Sequence, residues 1–147
     1  MRNTSSLDRG LLVIRIALGL VFVAHGGQKL FVFGLDGVPA FLTQAGFPFP
    51  VLNAAAITGV ELLGGLALLV GLATRAAAAL TAVSMLVAIL TVHLASGFFL
   101  PNGYEYPLTL MLVSVGLVLS GAGAYSLDAR LRGAGAEAES PTYRLAA

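Results

Sequence analysis

The chain has no cysteine and no tryptophan, and only 10% of its 147 residues are charged. The absence of cysteine excludes a disulfide framework, a thiol relay and any cysteine-ligated metal. Without tryptophan, an aromatic belt at a membrane interface has to come from the eight Phe and four Tyr. A net charge of +1 leaves no basic footprint for nucleic acid. No flavin, nucleotide or iron–sulfur motif is present. A soluble domain of this size carries about a quarter charged residues. Here the hydrophobic fraction is 58% and the mean hydropathy +0.93, in long apolar runs rather than amphipathic patterns. These features define an integral membrane protein.

Apolar runs of about 20 residues suffice to cross a hydrocarbon core of about 30 Å. Four are present, over approximately 11–30, 52–72, 76–96 and 106–123. Each must be helical, because a single segment in lipid has to satisfy its own backbone. The expected fold is an all-α four-transmembrane-helix bundle. The first run is too long for the apolar core of a signal peptide, and Arg15 interrupts it. Arg2, Arg9, Arg75, Arg130 and Arg132 flank one side of the spans, and Lys29 alone flanks the other. Short-loop arginines and lysines stay in the cytoplasm, which places both termini inside a bacterial cytoplasmic membrane. Four spans demand the same parity. Residues 1–10 then form a cytoplasmic N-terminus and 131–147 a flexible, polar cytoplasmic tail.

"LATRAA", Leu72 to Ala77, is a bare hairpin that makes spans two and three neighbours. The outer loop Phe31 to Pro50 is rich in Phe and Pro, and a short interfacial helix is expected over Pro39 to Ala45 with Phe41 facing the membrane. The second outer loop, "GFFLPNGYEYP", carries turn chemistry at Pro101-Asn102-Gly103. Ala55 with Gly59, Gly116 with Ser120, and the pair Gly64-Gly65 are candidate sites of close helix approach.

Ionisable groups within spans cost about 2.5–3.5 kcal/mol each at mid-bilayer, so each needs a partner or a purpose. "VFVAHGGQKLF", Val21 to Phe31, carries His25, Gln28 and Lys29 where the first span nears the outer surface. His93, Tyr104, Glu105 and Tyr106 converge on the same outer third from spans three and four. Glu61 is deepest, about 13 Å into span two. A carboxyl at that depth has to be neutral, paired or hydrogen-bonded. Two histidines at similar depth beside tyrosines and a carboxylate resemble a ligand pocket. His25, Glu61 and His93 are thus the candidate catalytic residues, and Gln28, Lys29, Tyr104, Glu105 and Tyr106 the candidate ligand-binding ones. The blander alternatives are a snorkelling Lys29 and a purely bundle-locking network around Glu61. Arg15, on the inner third, is expected to snorkel inward or to form a structural ion pair with Glu61.

The ordered segments "RIALGLVFVAHGGQKLF", "GVELLGGLALLVGLATR", "MLVAILTVHLASGFF", "NGYEYPLTL" and "GAGAYSLDA" resemble the DoxX family of small bacterial membrane proteins, from about Leu11 to Arg130. One departure lies at Ala124, where the family commonly has a basic residue before the tyrosine. The resemblance implies a four-helix membrane protein of redox metabolism, with relatives resembling a subunit of thiosulfate:quinone oxidoreductase or joining an oxidative-stress complex. It implies quinone as a cofactor and protein partners beside the lipid bilayer. The alternative is a non-catalytic membrane scaffold or accessory subunit. A haem or metal held by His25 and His93 has no local motif behind it. A transporter would call for paired broken helices, and none is evident.

Overall fold

The computed structural model describes residues 5–138. The described residues form six α-helices: α1 (Ser6–Gly27) continued by a π-helical turn (Gln28–Val32), α2 (Gly34–Gln44), α3 (Pro50–Val70), α4 (Thr74–Ala88) continued by a π-helical turn (Ile89–His93) and a 3₁₀ turn (Leu94–Ser96), α5 (Glu105–Ser120) and α6 (Leu127–Ala138). There is no strand among the described residues. Three continuous helices, Ser6–Val32, Pro50–Val70 and Thr74–Ser96, are long and apolar enough to cross a membrane. The fourth expected span, α5, has 16 residues. At 1.5 Å per residue it covers about 24 Å, somewhat less than a full hydrocarbon core.

Polarity is inverted relative to a soluble bundle. Val13, Leu20, Leu63, Leu80, Val83, Leu112 and Leu119 are exposed, whereas Arg15, Glu61, Thr74, Thr81 and Ser114 are buried. Apolar side chains need no shelter from lipid, and polar ones do. The most extensive contacts are α1 with α3 and α4 with α5, and α3–α4 contacts join the pairs. Leu18, Phe22, Leu68, Ala78, Met85, Leu110 and Leu117 form the apolar core. Across α4 and α5 the hydroxyls of Thr81 and Ser114 lie 3.1 Å apart in a hydrogen bond.

Glycine makes the α1–α3 approach possible. A Cβ at Gly26 would sit 2.7 Å from the Leu62 backbone nitrogen, and one at Gly65 would sit 2.8 Å from that of Val23. Gly19 faces Gly65 in the same seam. Of the small residues singled out in the sequence, only Gly64-Gly65 lies in a tight contact. A Cβ at Gly59 or Gly116 would meet nothing within 4 Å, and the Ser120 hydroxyl turns back to its own helix at Gly116 O. Spacing of four marks one stripe of a helix but not the direction that stripe faces.

The end of the bundle that carries Arg75 is closed by a polar clasp. Ser5 and Asp8 form a reciprocal capping box at the start of α1, which begins before the first apolar run. The other Asp8 carboxylate oxygen accepts from Ala124 N at 2.8 Å. Ala124 therefore contributes through its backbone. Arg75 donates to Leu119 O at 3.2 Å. Arg15 is fully buried and donates to Tyr125 O at 2.6 Å. The expected pairing of Arg15 with Glu61 does not form, nor does Arg15 reach the surface. Glu61 is taken by Lys29 at the opposite end, and the guanidinium is seated instead against Gly71 and Ser126. α6 extends through Ala138, so the first part of the segment expected to be flexible is helical. Residues 139–147 lie outside the described residues.

Asp128 of α6 caps α4 across the hairpin, accepting from Ala73 N at 2.7 Å and Thr74 N at 2.9 Å. Ala73 is left-handed, with φ 45°. The cap helps hold that strained conformation. Burial pushes the Asp128 carboxyl up, but the hydrogen bonds from Thr74 and Ala73 and the charge of Arg132 outweigh it. The group stays below its ordinary value of 3.8. A lowered carboxylate contributes stability that is fully present above the unfolded value and lost as pH falls through the folded one. Asp128→Ala is expected to cost about 0.5–2 kcal/mol, as other helix-cap losses do. It should also flatten the acid limb of thermal stability between pH 5 and pH 3, measured by circular dichroism in detergent.

Candidate functional site

At the opposite end from the arginines, α1, α3, α4 and α5 diverge around a cavity of about 380 Å³. Its walls are mostly apolar, among them Phe22, Ile57, Met85, Pro107 and Leu110. α2 lies across it and presents Val38, Phe41 and Leu42. These three recur at helical spacing, which puts them on one face. α2 is longer than the sequence suggested, starting at Gly34 rather than Pro39. Phe41 is half in contact with the cavity and half exposed, as an interfacial residue would be.

The polar lining comes from three of the four long helices and the end of the fourth. Lys29 and Glu61 form an ion pair, Nζ to Oε2, at 2.6 Å. The Glu61 side chain is 5% exposed and that of Lys29 20%. Burying a charge is costly unless it is paired and hydrogen-bonded, and this pair meets both conditions while cancelling its own charge. His25 lines the cavity from α1, one helical turn deeper than Lys29, with its ring 6.3 Å from that of Tyr106. Tyr106 enters from the first turn of α5. His93 enters from the π-helical end of α4, and its Nδ1 is 2.9 Å from Asn102 O in the α4–α5 loop.

Five sequence-predicted residues, His25, Lys29, Glu61, His93 and Tyr106, are thus brought to one cavity. Gln28, Tyr104 and Glu105 are not among its lining residues. Gln28 is exposed. Tyr104 packs edge-on against Phe98, ring centroids 5.4 Å apart. Glu105 accepts from Leu100 N at 2.8 Å and so shapes the loop that carries Asn102. These last two residues build the site's rim rather than its lining. No cluster of three or more His, Cys, Asp or Glu side chains suited to a metal occurs among the described residues.

Two features lay beyond sequence reasoning. One is the role of α2 as a wall. The other is the pair of π-helical turns, Gln28–Val32 and Ile89–His93, at the pocket ends of α1 and α4. Such turns concentrate at functional sites because each re-aims side chains off the regular helical spacing. No local sequence signal marks them.

The DoxX family model matches residues 10–94. A Bacillus subtilis (strain 168) protein named "Putative oxidoreductase CatD" is 34% identical over 123 residues, covering 84% of this chain and 87% of that protein. No solved structure matches the chain significantly.

Proposed function

Since the chain belongs to the DoxX family of membrane proteins, we propose that it is the membrane component of a quinone-linked redox system and binds the quinone head in the cavity beneath α2. Its position is the bacterial cytoplasmic membrane, with the arginine-rich end and both termini inside and the Lys29 end outward. The observation that carries the reading is the lining itself: hydrogen-bonding groups from separate helices on an otherwise apolar cavity. A quinone head is an apolar ring with two carbonyl acceptors, and it matches that chemistry. The volume falls in the range of small-molecule sites, about 300–1,000 Å³. The oxidoreductase name of the Bacillus relative supports a redox role. Quinones supply two-electron, two-proton redox chemistry, which this chain's own side chains do not. Lys29, His25 and Tyr106 can donate hydrogen bonds to the head. Glu61, held by Lys29, is placed to pass protons between the cavity and the bundle interior. Electrons have to come from a partner or a soluble donor.

Titration of the purified protein with decylubiquinone tests this. Saturable binding is expected, weakened about three- to tenfold in His25→Ala and in Tyr106→Phe, the effect of losing one hydrogen bond. A scaffold role has one observation in its favour, since Lys29–Glu61 ties together the two most extensively packed helices. It is distinguished by the absence of saturable quinone binding together with a stoichiometric protein partner on purification.

A further inference from the structure

The bond from His93 to the α4–α5 loop fixes which ring nitrogen carries the proton. Nδ1 faces the carbonyl oxygen of Asn102 at 2.9 Å. A carbonyl oxygen only accepts, so Nδ1 donates. In the neutral ring Nε2 is then bare and keeps its lone pair. Because the partner is backbone, it cannot change protonation and release the tautomer. The nitrogen that His93 leaves for a ligand is therefore an acceptor. Glu61 offers a second one. Its Oε2 accepts from Lys29, and its Oε1 has no hydrogen bond among the described residues.

The two redox forms of a quinone differ in the group they would set against these acceptors. The oxidised form brings a carbonyl, lone pair against lone pair. The reduced form brings a hydroxyl that donates. Lys29 and Tyr106 do not discriminate, because an ammonium N–H or a phenol O–H can donate to either form's oxygen. Nor does His25, because no hydrogen bond among the described residues fixes its tautomer and the neutral ring can present a donor or an acceptor. Resting on the quinone-site reading, we propose that the cavity is selective for the reduced, dihydroxy-aromatic carrier, whose hydroxyl donates to Nε2 of His93. A site built to accept from a hydroxyl rejects the analogue that lacks one, because its acceptor is then left facing another lone pair.

The test uses redox-inert probes on the full-length protein in detergent: 4-nonylphenol, and 4-nonylanisole, the same molecule with its hydroxyl hydrogen replaced by methyl. The phenol is expected to bind about tenfold or more tightly than the ether. Decylubiquinol should exceed decylubiquinone by a similar factor under anaerobic conditions. His93→Phe should bring the phenol-to-ether ratio towards one. The wild-type comparison decides the matter even if that variant fails to fold. If the quinone binds while phenol and ether bind equally, hydroxyl selectivity is overturned and the quinone site stands. If His93→Phe keeps the full ratio, His93 is not the selecting group and the proposal falls. If neither quinone nor phenol binds, the site itself is refuted.

Discussion

Lys29→Ala is expected to destabilise the protein by about 3–5 kcal/mol, the cost typical of removing one partner from a buried ion pair. Glu61 is the reason. Its side chain is 5% exposed, and its bond to Lys29 at 2.6 Å is the one salt bridge among the described residues. Without Lys29 the carboxylate either stays charged in an apolar surround or takes up a proton, and both states are less favourable than the pair. Removing both charges behaves differently. Lys29→Met with Glu61→Leu fills similar volume and leaves no orphan charge, so the double variant should recover most of the loss. Thermal unfolding in detergent measures this. A lysine that only snorkels to headgroups would give a single-variant cost below about 1 kcal/mol, as an exposed pair does. The double variant should nonetheless lose ligand binding, which separates the pair's contribution to stability from its place in the pocket.

Gly71→Ala is expected to cost about 3–5 kcal/mol, in the range where a single change points to one specific mechanism. Two effects combine at this position. Gly71 ends α3 at φ 71°, a conformation unfavourable to any residue with a Cβ. The added Cβ would also collide with the Arg15 guanidinium and with Ser126. Arg15 cannot yield cheaply. It is fully buried, its Nη2 is bound to Tyr125 O, and its Nε and Nη1 have no hydrogen-bond partner among the described residues. Displacing it exposes a charge to lipid or opens the α3–α4 hairpin, where Gly71 O accepts from Asp128 N at 2.8 Å. Gly116→Ala is the control. It lies inside α5 with nothing within 4 Å of the new methyl and should be neutral or slightly stabilising. If both glycine variants unfolded at the same temperature, Arg15 would not be seated as described.

The fold was legible because lipid leaves few options: a long apolar run has to be a helix, and its polar residues have to face inward. Helical rise alone placed His25, Lys29 and His93 on the outer third and Glu61 deeper, about 13 Å in, and all four line one cavity. Rotation about the helix axis was not legible. Gln28 lies about 100° around α1 from Lys29 and points away from the pocket, although the two are adjacent in the chain. The partner of Glu61 followed the same rule. Arg15 was the expected ion-pair partner, and packing gave Glu61 to Lys29 instead. The clasp built from Asp8, Asp128 and Arg15 rests on contacts spanning 54 to 116 residues, and sequence spacing carries no record of such contacts. Ser5-x-x-Asp8 could have been read as a capping box, and it would have started α1 earlier than its apolar run.

The central claim is that polar groups from four helices form one ligand pocket beneath α2. Photo-crosslinking with an azido-quinone, followed by peptide mass spectrometry, tests it most directly. Label is expected in peptides containing His25 and Lys29 of α1, Met85 to His93 of α4 and Tyr106 to Leu110 of α5, and excess unlabelled quinone should compete it away. Label spread over lipid-facing residues such as Leu20, Leu63 and Leu119, with no competition, would contradict the account.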